Sequence, residues 1–187
     1  ISLNVDQLYG IEIEEFPAQI AQVALWLVDH QMNLRVSEEF GLYFARIPLT
    51  SRPHVVHGNA LTTDWNEVLP AERCSYVLGN PPFVGKQHQN PQQKADVAPL
   101  FDRLEGGGVL DFVAAWYIKG AHYARLNHAL RVGYVSTNSI VQGEQVGALW
   151  PTWDQFIATG QRFAAADKKH KFVDSATNIY NVVLMQI

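Results

Sequence analysis

The chain has 187 residues, 48% hydrophobic and 17% charged, a balance that excludes a disordered segment and suffices for one domain with a sizeable core. Its formal net charge of −4 and isoelectric point near 5.9 argue against nucleic-acid binding over the whole surface, because neutralising phosphates needs Lys and Arg, though a local basic patch stays open. No apolar run approaches the roughly 18 to 20 residues of a membrane span, no basic-then-apolar leader opens the chain, and the single Cys74 cannot form an internal disulfide, so a reducing cytoplasm is the expected setting.

In chain order, "QLYGIEI" (Gln7 to Ile13) reads as a buried strand ending in acidic residues. Pro17 suits a first helical turn, and Ile20, Val23, Ala24, Leu27 and Val28 follow at helical spacing, which predicts an amphipathic helix to about Met32. Residues 33–53 carry no clear pattern. "HVVHGNAL" (His54 to Leu61) predicts a short strand and a turn at Gly58-Asn59, and "CSYVLGN" predicts another strand. Residues 84–107 are polar and rich in Gln and read as a long loop with some helix. Leu110 to Leu126 predicts a helix, Leu130 to Ile140 a strand and the loop leaving it, Gln142 to about Ile157 a helix broken by Pro151, and Asn178 to Ile187 a closing strand. Strands alternating with helices imply an α/β fold built on a mostly parallel sheet covered on both faces. Ligands in such sheets sit beyond the carboxyl ends of the strands. Glu12, Asn59, Asn80 to Phe83, and Thr137 to Ser139 all fall there.

The most unusual of these strand ends is "GNPPF", Gly79 to Phe83. Two prolines remove two backbone donors and fix two φ angles, and they hold the preceding Asn out of the helical region. The Asn80 side-chain oxygen and the Pro81 carbonyl become two acceptors held close together, a match for an NH2 group with two donors. An exocyclic amine is a poor nucleophile because its lone pair is delocalised into its ring. Accepting both hydrogens draws the nitrogen toward tetrahedral geometry and localises that pair. Phe83 offers a face for stacking a planar base. Such a site acts by positioning and by hydrogen bonds that strengthen as charge grows on nitrogen.

"GNPPF" resembles the catalytic motif of the S-adenosylmethionine-dependent amino-methyltransferases, whose Asn form is more typical of adenine as target. The stretches "YGIEIEEFPAQIAQVALWLVDHQMN", "NPPFVGKQHQNPQQKAD", "LDFVAAWYIKGA" and "VSTNSIVQGEQVGALW" together resemble the methyltransferase region of MmeI-like fused type II restriction–modification proteins over about residues 7–187. The resemblance implies a class I, Rossmann-like fold with an antiparallel closing strand, S-adenosylmethionine as methyl donor, and a flipped adenine of duplex DNA as target, since N6 is paired and edge-on inside the helix. It implies that Glu12 holds the ribose hydroxyls of the cofactor, that Ile13 packs on its adenine, that Asn59 hydrogen-bonds that adenine with Ala60 lining the same pocket, and that Asn80 lies near the methionine part. Asn80, Pro81, Pro82 and Phe83 then carry catalysis. Phe172 is the matching aromatic against the flipped base, and Lys168, Lys169 and Lys171 of "KKHK" are placed for target-strand phosphates.

The family's Gly-rich cofactor loop has no counterpart upstream of "GIEI", and Gly106-Gly107-Gly108 follows no strand and reads as a flexible helix lead-in. The expectation is an N-terminally truncated catalytic domain (residues 1–187) of a longer protein, without its target-recognition domain and with a fused nuclease as a further partner. Methylation of a protein glutamine amide or an RNA base amine, and an inactive fragment with an incomplete cofactor site, are the alternatives. His54 and His57 lack a second ligand pair for zinc. Asp64-Trp65 suits a helix start, Cys74 has no basic activator, Trp116 and Tyr117 suit a core helix, and Ser136 and Ser139 lack the Gly-x-Ser-x-Gly context of a hydrolase.

Overall fold

Short apolar runs form the strands of this chain and longer periodic or well-capped stretches form its helices. The computed structural model describes residues 4–41, 51–141, 143–156 and 182–185. In chain order these give β1 (Leu8–Glu12), α1 (Glu15–Phe40), β2 (His54–His57), α2 (Trp65–Val68), β3 (Tyr76–Gly79), α3 (Pro91–Phe101), α4 (Ala114–Ala124), β4 (Arg131–Tyr134), α5 (Gln145–Phe156) and β5 (Val182–Met185). Asp64 caps α2 by accepting from the Asn66 amide, so Asp64-Trp65 is indeed a helix start. Gly41, at φ 65°, ends α1 in the left-handed conformation that glycine adopts without penalty.

The five strands form one sheet in the order β2-β1-β5-β3-β4, with every neighbouring pair parallel. This corrects the expected antiparallel closing strand: β5 runs parallel and lies in the middle, Val183 opposite Tyr9 on one side and Val77 on the other. The physical reason is backbone pairing. With β2 outside β1 and β4 outside β3, each inner strand has one free row of amides and carbonyls, and a strand between them satisfies both rows. The sequence Val-Val-Leu-Met suits a central strand, where no polar alternation is required.

The core gathers between the sheet and α4. Ile11 and Val77 from the strands, Trp116 and Ile118 from α4, Leu149 from α5 and Leu69 before β3 are almost wholly excluded from solvent. Trp116 and Tyr117 are core residues, as expected, and Tyr117 packs edge-on against both Tyr134 and Trp150. Gly120 permits this approach, since a Cβ there would sit 2.8 Å from the Tyr134 hydroxyl. Gly107 is likewise steric: a Cβ would lie 2.1 Å from the Phe101 carbonyl oxygen.

One other expectation gains detail and two change. Residues 84–107 contain the whole of α3, which Asn90 and Gln93 begin with a reciprocal capping box and Pro91 at the first turn. Pro151 does not break α5; it lies on the exposed side of a continuous helix. The helix opening near Pro17 runs on to Phe40, but Ile20, Val23, Leu27 and Val28 point outward instead of into the core. Among the described residues, no helix is long and apolar enough to cross a membrane.

Candidate active site

A parallel sheet places all its carboxyl ends along one edge, so Glu12, the turn after β2, the turn after β3 and the loop after β4 face the same side. β3 ends at Gly79, and its carbonyl accepts from the Val135 amide just past β4. Pro81 is buried almost completely, Asn80 is exposed and Phe83 is 48% exposed. The Pro82 carbonyl accepts from the Val84 amide at 3.2 Å, and the Val84 carbonyl accepts from the Phe112 amide at 2.9 Å. The Asn80 amide and the Pro81 carbonyl have no hydrogen-bond partner among the described residues. The turn is therefore anchored on both sides, with Pro81 buried and the Asn80 side chain exposed. A cleft of about 460 Å³, lined by Leu78, Gly79, Tyr134, Val135, Thr137 and Ile140 among others, opens beside it.

At the other side of the sheet, Glu12 stands opposite His57. Its carbonyl accepts from the Gly58 amide at 2.8 Å, and its carboxylate accepts from the Glu14 amide at 3.1 Å through one oxygen. Ile13 is exposed and Ala60 buried. The Asn59 side chain has its orientation fixed: Oδ1 accepts from the Leu61 amide at 2.9 Å and Nδ2 donates to Asp96 Oδ2 at 2.8 Å. Its carbonyl oxygen keeps a second lone pair. Two ladder steps, about 10 Å, separate β1 from β3. Glu12 and Asn59 thus form one group of polar side chains, and Asn80 to Phe83 a second, along one sheet edge.

A family model described as "MmeI, DNA-methyltransferase domain" matches residues 1–187. The chain belongs to the MmeI DNA-methyltransferase domain family. It is 36% identical to DNA methyltransferase A of Bacillus subtilis (strain 168) over 98% of this chain. It also matches the type IIL restriction–modification enzyme MmeI solved in complex with DNA, at 62% identity and a TM-score of 0.78 over 83% of this chain. The chain spans about a fifth of the length of each, 21% in both cases.

In this MmeI-type domain several side chains at the site were not singled out from sequence. Asp111 and Gln145 join the loop beyond the turn to α5, Asp96 orients Asn59, and Lys119 donates to the carbonyl oxygens of Leu61 and Thr63. A signal existed for two of them: Asp111 is the one charged residue from Val109 to Ile118, and Lys119 lies between the buried Ile118 and Gly120 of a mostly apolar helix. A lone charge in an apolar run needs a partner. Phe172, Lys168, Lys169 and Lys171 lie outside the described residues. Among the described residues no cluster of His, Cys, Asp and Glu could hold a metal ion.

Proposed function

We propose that this domain transfers a methyl group from S-adenosylmethionine to the N6 amine of adenine in duplex DNA, as the methyltransferase part of a longer restriction–modification protein with a Rossmann-like, class I fold. One observation carries this reading. Asn80 to Phe83 leave the carboxyl end of an inner strand with Pro81 buried, no hydrogen-bond partner for the Asn80 side-chain amide or the Pro81 carbonyl among the described residues, and an exposed aromatic ring at Phe83. The MmeI relative was solved with DNA, which favours duplex DNA over a protein amide or an RNA base.

The residues present fit the cofactor. The Glu12 carboxylate uses one oxygen on the Glu14 amide and keeps the other for vicinal hydroxyls, Ile13 presents apolar surface for a planar base, and the Asn59 carbonyl oxygen can accept from an adenine amine. S-adenosylmethionine supplies an electrophilic methyl group on a sulfonium. Asn80 Oδ1 and the Pro81 carbonyl would accept the two hydrogens of the target amine, Phe83 would stack on the base, and the pinned backbone would hold that amine in line with the methyl. The amine starts neutral, so no titrating base is needed to start, and the proton leaves to solvent afterwards. Phe172 would pack on the flipped base and Lys168, Lys169 and Lys171 would meet its flanking phosphates.

The test uses the protein that carries this domain, duplex DNA and labelled cofactor. Label is expected as N6-methyladenine. Asn80→Ala should lower the single-turnover rate at least about a hundredfold while cofactor affinity changes little. An unaltered rate, or label found in protein or RNA instead, refutes the proposal.

A further inference from the structure

A carboxylate 25 residues beyond Lys86 is tied to the exit of the catalytic turn. Asp111 stands just before α4. Its Oδ1 accepts from the Lys86 amide at 2.9 Å, three residues past Phe83. Its Oδ2 accepts from Gln145 Nε2 at 2.7 Å and from Ser139 Oγ at 3.4 Å. Its own amide donates back to Gln145 Oε1 at 2.9 Å, so Asp111 and Gln145 form a closed two-bond pair. Gln145 is 7% exposed and lies at the start of α5. Ser139 in turn shares a 2.7 Å hydrogen bond with Thr137, in the loop that leaves β4 and lines the cleft. Next to Asp111, the Phe112 amide holds the Val84 carbonyl.

Resting on the functional reading above, we infer that Asp111 and Gln145 are positioning residues for methyl transfer: they lock the exit of the Asn80–Phe83 turn and the loop after β4 into one rigid wall around the incoming amine. Neither touches cofactor or base. The chemistry of the pair explains why an acid is needed there. Lys86 N and Gln145 Nε2 are both donors, so the side chain at 111 must accept on both oxygens. An amide can accept on only one. It leaves either the Lys86 amide or Gln145 facing another donor, and the turn exit loosens. Reacting atoms misplaced by about 1 Å can lose about a hundredfold in rate.

The pattern makes a swap informative. Asp111→Asn removes one acceptor. Gln145→Glu alone sets two carboxylates face to face. Combined, the new amide donates to the new carboxylate, still accepts from the Lys86 amide, and the 111 backbone amide keeps its acceptor. In the protein that carries this domain, each single variant is expected to lower the single-turnover methylation rate about ten- to a hundredfold, with cofactor affinity within about twofold. The double variant is expected to recover most of the loss. Amide hydrogen exchange of residues 83–86, read without any cofactor, should speed up in Asp111→Asn and slow again in the double variant. A double variant no better than the worse single, or unchanged exchange in Asp111→Asn, overturns the inference. If the unaltered protein methylates no DNA, the functional reading above falls, while the exchange experiment still decides whether this pair positions the turn.

Discussion

Lys119 rises from the buried side of α4 and donates to the carbonyl oxygens of Leu61 and Thr63, with its nitrogen 5.4 Å from the centre of the Trp65 ring. It therefore ties α4 to the loop that begins at Asn59. Burial lowers its pKa from 10.5 to about 8, with Asp64 opposing the shift. Below about 8 both folded and unfolded states hold the proton. Above that the folded state releases it first, the unfolded chain binds more protons, and stability rises with pH. Cys74 acts in the opposite sense: burial raises its thiol from 9.0 to about 11, so above 9.0 the unfolded chain ionises first and stability falls. The denaturation midpoint should therefore climb between about pH 8 and 9, and Lys119→Met should flatten that climb in parallel titrations. The raised thiol also predicts that Cys74 resists alkylation at neutral pH until the chain unfolds, a point read directly with a thiol reagent. At this scale the Asn80 turn was legible because its signal is local: two prolines after an apolar strand. Asp111 was not, because its partners Lys86 and Gln145 lie 25 and 34 residues away and only packing brings them together.

Elements differ in how openly they announce themselves. α3 was read mostly as loop because it is polar along much of its length; only Val97 and Phe101 are buried. Yet its start was written in "NPQQ": an Asn cap, Pro at the first turn and Gln at the third. Asn90→Ala removes the side-chain half of that cap, the acceptor for the Gln93 amide, while the backbone amide at 90 keeps Gln93 Oε1; it should cost about 1 kcal/mol in chemical denaturation. α1 presents the reverse case. Its period was legible, but period states that one face is apolar and not which neighbour covers it. In the structure Gln22 and Trp26 reach the backbone of Val55 and Ser51, so their side of the helix, with Ala18 and Leu25, is the covered one, and Ile20, Val23, Leu27 and Val28 face outward. α5 tolerated Pro151 because a proline on an exposed helix side loses one hydrogen bond without disturbing packed neighbours.

For the molecule as a whole, the alternation of strands and helices correctly implied a parallel α/β sheet, and the candidate site residues lie at its carboxyl edge. Strand order was not legible, since the sequence of β5 states only that it is apolar. Its central place follows from the two open ladder edges of β1 and β3. Val183 pairs on both sides, so Val183→Pro removes a backbone donor where no edge exists to absorb the loss. Thermal unfolding followed by circular dichroism should lose its single cooperative transition in that variant.

The same placement sets the order of assembly. β1 with β2, and β3 with β4, pair segments near one another along the chain, whereas β5 must bridge both from the far end. Contacts of such long sequence separation form late, because the loop they close is entropically costly. Each half-sheet carries one half of the site: Glu12 and Asn59 on one, the Asn80–Phe83 turn on the other. The proposed grip on the methyl donor and the proposed grip on the target amine would therefore face each other only after that late step, and a chain caught before it would hold both halves without joining them.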